Sequence, residues 1–160
     1  MTTFEGIPEG HGRRIGVVAA RFNEVVTKKL VDGCLETLRA AGVADQDVHV
    51  AWVPGAFEIP LAARRMARAG AYDAVVCLGA VIRGETAHFG LVTNEAARGI
   101  REVARDTGVP VVFEVLATED LSQALARAGG AHGNKGRDAA LAALEMASLL
   151  QTLPKEVDPT

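Results

Sequence analysis

The sequence predicts an α/β fold: a four-stranded parallel sheet with helices on both faces, a three-layer sandwich. Three observations carry this. Short apolar, β-branched runs alternate with helical patterns along the chain. The runs are apolar along their whole length, as strands buried on both faces require. Turn signals such as Gly42, Pro54-Gly55, Gly70 and Gly108 fall between the periodic segments.

Ile15 to Ala20, preceded by Arg13-Arg14, reads as the first strand. A helix is expected from Val25 to Ala41, with Leu30, Cys34, Leu35 and Leu38 on one face and Gly42 as its stop. Val48 to Val53 is a second strand, ended by Pro54-Gly55. Pro60 suits the first turn of a helix running to Ala69, because its missing N–H would have no partner there. Ala74 to Ile82 is a third strand, and the loop Arg83 to Ala87 leads into a long helix that ends before Gly108. Val109 to Leu116 is the fourth strand. Thr118, Glu119 and Asp120 open a short helix, acidic at its positive end. A Gly-rich loop from Gly129 to Gly136 then precedes a final helix, Arg137 to Leu150.

The 160 residues suit one domain, with a peripheral arm (1–13) and tail (154–160). A net charge of −3 and no Lys/Arg run longer than two argue against nucleic acid or an acidic membrane as partner. No apolar stretch approaches the length of a membrane span, and the N-terminus lacks the apolar core of a signal peptide, so the expected location is the cytoplasm. Cys34 and Cys77 are expected as buried free thiols. No metal-ligand spacing occurs, and no Gly-x-Gly-x-x-Gly follows a strand, which argues against a dinucleotide.

In such sheets ligands bind beyond the carboxyl ends of the strands, where the strand order reverses. The segments there are Arg21-Phe22-Asn23, Pro54 to Glu58, Arg83 to Phe89, and Ala117-Thr118. Phe22, Phe57 and Phe89 fall just past strand ends, and Phe113 lies within the fourth strand. A flat ring stacked on phenylalanine would explain the bias, though Phe57 and Phe89 serve equally well as core plugs. His88 follows a strand in a Gly-containing loop, and a neutral imidazole both gives and takes protons near pH 7. As a lone histidine it reads more simply as a surface residue at a helix start.

Gly84-Glu85-Thr86 precedes the long helix, where free N–H groups favour an anion. Thr86 is equally a plain N-cap. Arg127 ends the short helix, where a cation complements the negative end. Lys135 lies in a loop without the Gly-Lys-Ser/Thr order of a nucleotide P-loop. Glu58 opens a helix and could accept hydrogen bonds from a polyol.

Taken together, Arg21-Phe-Asn23, Val53-Pro-Gly-Ala-Phe-Glu-Ile-Pro60, Gly79-Ala-Val-Ile-Arg-Gly-Glu-Thr-Ala-His-Phe89, Asn94-Glu-Ala-Ala97 and Gly133-Asn-Lys-Gly136 resemble the lumazine synthase family, from about Ile15 to Leu150. The resemblance implies a flavodoxin-like fold and a transferase of riboflavin biosynthesis. It would condense 5-amino-6-(D-ribitylamino)uracil with 3,4-dihydroxy-2-butanone 4-phosphate to 6,7-dimethyl-8-ribityllumazine, releasing phosphate and water without a cofactor or metal. It further implies that Phe22 stacks on the pyrimidine, that Ala56, Phe57 and Glu58 hold the ribityl chain, and that the backbone of Ala80, Val81 and Ile82 reads the uracil edge. Phe113 would close the ring pocket with Lys135 nearby, Glu85, Thr86 and Arg127 would bind the butanone phosphate, and His88 would be the acid–base residue.

Three positions depart from the family's pattern: Gly90, Glu114 and Ala117. Gly90 is expected to loosen the His88 loop, and Glu114 to place a charge beside the ring pocket. The resemblance also implies pentamers and, with so short a loop before the last helix, icosahedral shells, with riboflavin synthase a further expected partner. The last helix, apolar around most of its circumference, agrees with assembly. The arm is expected to add to a neighbour's sheet edge. Two rivals are a flavin-binding flavodoxin-like module and a non-catalytic shell-forming relative. The first would need a Ser/Thr/Gly-rich phosphate loop after strand one, where this chain has Ala20-Arg-Phe-Asn-Glu-Val-Val-Thr27. The second would have no need of His88, Phe22, Arg127 and Lys135.

Overall fold

A computed structural model describes residues 1–157 of the chain, so the end of the expected tail lies outside the described residues. Four strands form one parallel sheet: β1 (Ile15–Ala20), β2 (Val48–Val53), β3 (Ala74–Ile82) and β4 (Val111–Thr118), in the order β2-β1-β3-β4. All three pairings are parallel, so every strand ends on the same side. The direction of winding reverses between β1 and β3, which makes their carboxyl ends the switch point.

Five helices complete the sandwich: α1 (Glu24–Ala40), α2 (Ile59–Arg68), α3 (His88–Thr107), α4 (Leu121–Ala126) and α5 (Lys135–Thr152). The period-2 alternation of strand side chains sorts them onto two cores. Ile15, Val17 and Ala19 of β1 join Val76 and Leu78 of β3 under Leu30, Cys34 and Leu38 of α1 and Ala140, Ala143 and Leu144 of α5. Val18, Val75 and Cys77 face the other way, under Ile59 and Ala63 of α2 and Ala96, Ile100 and Val103 of α3. Cys34 and Cys77 thus lie in different cores, both free and buried as expected, and cannot pair. Burial alone raises the Cys34 thiol to about 12 and pushes Cys77 higher still, so both stay protonated.

The last third of the chain differs from its expected pattern. β4 starts later than Val109 and runs on to Thr118, which pairs with Ile82. Thr118 is therefore a strand residue, its hydroxyl donating to the Asp120 carbonyl, and the cap of α4 is Asp120, whose carboxylate accepts from the Gln123 N–H. The expected Gly-rich loop is an antiparallel ribbon, β5 (Ala128–Gly130) with β6 (Gly133–Asn134), and α5 already begins at Lys135. The cause is Asn134. Its side-chain oxygen accepts from the N–H groups of Gly136 and Arg137, and its amide donates to the Lys29 carbonyl on α1, so the helix starts where α1 anchors it.

Gly136 lets α5 approach that closely: a methyl group there would overlap the Leu30 carbonyl. Gly136→Ala should cost about 1–3 kcal/mol through overpacking against rigid backbone, read as a lower denaturant midpoint. An unchanged midpoint would show that α1 and α5 separate freely.

On the outside of α5, Met146 and Leu150 stay exposed. The sheet cannot cover the whole apolar circumference, as the sequence implied. From Ile7 onward the arm bonds along its own chain. Ile7 N–H donates to the Ser148 hydroxyl, Gly10 N–H to the Ala41 carbonyl, and Arg13 to Gln151.

Candidate active site

Beyond the carboxyl ends of β1, β2 and β3 lies an open cleft of about 750 Å³, a size suited to a small organic ligand. Its wall includes Phe22, Ala56, Phe57, Glu58, Ala80, Val81, Ile82, Thr86 and His88. Nine of the residues expected to act on substrate therefore meet in one place, and Glu85 sits between the lining residues Gly84 and Thr86.

Each wall has a local cause. After β1 the ladder to β2 continues through Arg21 N–H to the Val53 carbonyl and Phe22 N–H to the Pro54 carbonyl, which holds Phe22 beside the 54–58 segment. Asn23 then takes a left-handed conformation (φ 61°, ψ 44°), which asparagine tolerates better than most residues. Its carbonyl accepts from Val26 and Thr27 at the start of α1, and its side-chain amide donates to the Ala80 carbonyl at 2.8 Å. Phe22 is left 72% exposed. Leaving so large a ring in water forgoes about 1.5–3 kcal/mol of burial.

The second wall turns through a single 3-10 turn, Ala56–Glu58, into α2, with Pro60 in its first turn as expected. Gly55 leaves room for the Glu58 carboxylate, which a side chain there would crowd at 3.1 Å. Phe57 is 60% exposed, so it is not a core plug.

The third wall is backbone. β3 pairs with β1 only as far as Leu78 opposite Ala19, yet it continues to Ile82 against β4. On the β1 side, the strand from Ala80 to Ile82 has peptide groups without a strand partner, one of them engaged by Asn23. Buried or half-buried peptide groups need partners, and a ligand edge with donors and acceptors would supply them.

His88 is the first residue of α3, exposed, and its imidazole makes no hydrogen bond among the described residues. The N-cap of α3 is Ala87 rather than Thr86, whose hydroxyl accepts the His88 N–H at 3.3 Å. Phe89 lines the cleft, half-buried beneath the Arg83 guanidinium. Gly90 is not in a loop: it lies within the first turn of α3, where its carbonyl and that of Phe89 accept from Thr93.

Three expected residues stand elsewhere in this chain. Phe113 sits on the edge strand β4, opposite Cys77, five positions before the strand's end and 42% exposed. Arg127 caps α4, its guanidinium donating to the Gln123 carbonyl at 3.0 Å. Lys135 opens α5, its ammonium 3.3 Å from Asp138, and its N–H donates to the Arg127 carbonyl. The ribbon thus brings Arg127 and Lys135 together, away from the cleft's lining.

Glu114 belongs with this second group. Alternation along β4 turns it away from Phe113 and toward α5, so its charge lies near Lys135 and Asp138 rather than beside a ring. Burial raises its carboxyl above the ordinary range; Lys135 opposes that shift and Asp138 adds to it.

Residues that the sequence reading did not single out for a role are Asn23, Arg83, Leu91 and Val92. Asn23 carried a usable signal, an asparagine directly before a helix. The others depend on how α3 leaves the sheet.

The family model for 6,7-dimethyl-8-ribityllumazine synthase matches residues 12–151. A protein of Gemmatimonas aurantiaca named 6,7-dimethyl-8-ribityllumazine synthase is 56% identical over 149 residues, which is 93% of this chain and 91% of that protein. A match spanning the sheet, the cleft and the Arg127–Lys135 ribbon is a match to the whole working structure, and the chain belongs to the 6,7-dimethyl-8-ribityllumazine synthase family.

Proposed function

We propose how this site serves the reaction that the chain catalyses as a member of its family. That reaction is the condensation of 5-amino-6-(D-ribitylamino)uracil with 3,4-dihydroxy-2-butanone 4-phosphate to 6,7-dimethyl-8-ribityllumazine. The enzyme is a transferase of riboflavin biosynthesis. Joining an amine to a ketone needs a flat ring held in place, protons moved onto departing water and off carbon, and a seat for the leaving phosphate.

In our reading the pyrimidine lies on Phe22, with its edge against the Ala80, Val81 and Ile82 backbone. The ribityl hydroxyls reach Glu58 and the Ala56-Phe57 turn. His88, exposed on the rim, moves protons as a general acid–base. Glu85 and Thr86 meet the butanone phosphate at the N-terminal end of α3, where peptide N–H groups are free. The single observation that carries this is the cleft at the switch point. It joins an exposed ring platform, an unpaired strand edge, a carboxylate and an unpartnered imidazole.

Arg127, Lys135 and Phe113 complete the site from a neighbouring subunit in a pentamer. The reading draws support from the absence of all three from the cleft's lining and from the apolar side chains left exposed at Phe113, Met146 and Leu150. Pentamers packed into an icosahedral shell, association with riboflavin synthase, and a cytoplasmic location belong to the same proposal. Among the described residues no helix is long and apolar enough to cross a membrane.

Incubating the purified chain with both substrates and following the fluorescence of the lumazine tests the reading. Product should form with both substrates and not when either is withheld. A purified, assembled protein that forms none would overturn it.

A further inference from the structure

Arg83, at the carboxyl end of β3, makes three contacts at once. Its backbone N–H donates to the Thr118 carbonyl at 2.8 Å, extending the β3–β4 ladder by one rung. Its guanidinium meets the Glu119 carboxylate at 2.8 Å. The same guanidinium lies over the Phe89 ring, 4.5 Å from the centroid, well inside the range of a cation–π contact. The Glu119 backbone is held in turn, its N–H donating to the Gln123 side chain on α4.

An exposed ion pair alone contributes little, and Arg83 and Glu119 are both more than half exposed. The direction of the contacts matters more than their strength. The segment from Gly84 to Thr86 is exposed and belongs to no helix or strand. His88, directly before Phe89, is exposed as well. Phe89 lies under the Arg83 guanidinium, and Arg83 is tied to the β4–α4 turn through Thr118 and Glu119.

We propose that Arg83 is a positioning residue for the reaction: it clamps Phe89 to the end of β4 and so fixes where α3 begins and where the His88 imidazole stands over the cleft. The inference rests on the acid–base reading of His88. A group misplaced by about 1 Å can lose up to 10²-fold in rate, so a partly loosened clamp should cost about tenfold.

The test compares Arg83→Met, Phe89→Leu, the double variant and His88→Ala in the assembled enzyme, by steady-state lumazine formation and by hydrogen–deuterium exchange. Arg83→Met should lower kcat about tenfold with KM for both substrates changed less than about threefold, and should speed exchange across residues 84–90. Arg83→Lys, which keeps a cation over the ring, should recover most of the loss. Adding Phe89→Leu to Arg83→Met should cost little more, because both break one contact. If Arg83→Met does not assemble, Arg83→Lys and Phe89→Leu carry the same comparison. An unchanged kcat, or losses that multiply in the double variant, would overturn the proposal even if exchange rises. Normal turnover in His88→Ala would instead overturn the acid–base reading beneath it, and Arg83 would then have no imidazole to position.

Discussion

Replacing His88 by alanine should leave the protein folded and assembled while slowing turnover by about 10²-fold, the lower end of what one positioned proton-transfer group contributes. The expectation follows from two features of the site. The imidazole is exposed and bonds to nothing else among the described residues, so the fold does not depend on it. The helix it opens is held instead by its backbone and by the packing of Ala96, Ile100 and Val103. The loss should fall on kcat, with KM for either substrate close to that of the unaltered enzyme. Turnover measured with saturating substrates, beside the mass of the assembly, checks both halves. An unfolded variant would make His88 structural, and full turnover would remove it from the chemistry.

Arg127→Ala should act differently, weakening the butanone phosphate by about 10²-fold in KM, since a charge-assisted hydrogen bond to a phosphate is worth about 1.5–3 kcal/mol. The sharper expectation concerns mixtures. Arg127 lies at the end of α4, outside the lining of the cleft that holds His88. If the two meet only across a subunit boundary, the boundary is heterologous, one subunit's front against the next one's back. Subunits carrying His88→Ala and subunits carrying Arg127→Ala, unfolded together and reassembled in equal amounts, should then regain unaltered sites at about a quarter of their boundaries. Assayed with the butanone phosphate well below its KM, activity at that level, well above either parent, is the expected result. Activity no higher than the mean of the two parents would place the whole site within one chain.

The two central strands, β1 and β3, were legible in the sequence because they are buried on both faces. A run such as Ala74 to Ile82 has no polar residue to permit another structure, and the chain pairs it from Val75 to Ile82 with β4. Strand-end logic then placed Phe22, Glu58, Thr86 and His88 near one another, and the cleft contains all four. The ribbon was not legible. Gly129 to Gly136 has the composition of a flexible loop, and its order comes from Asn134 reaching Lys29, 105 residues away. Local composition carries no record of such a contact.

By itself, then, the sequence determined the alternation of strands and helices, the end of the sheet that holds the site and, through the resemblance carried by its motifs, the family. Each of these rests on neighbours within a few residues, or on a pattern that only one fold satisfies. Only the tertiary structure decided which side chains face which way. It turned Glu114 to Lys135 rather than to Phe113, left Phe57 in solvent rather than in the core, and set Arg83 on Phe89. The first depends on the pleat of β4 and the last two on where α2 and α3 leave the sheet. Those angles are fixed by packing between elements distant in sequence, which no single segment encodes.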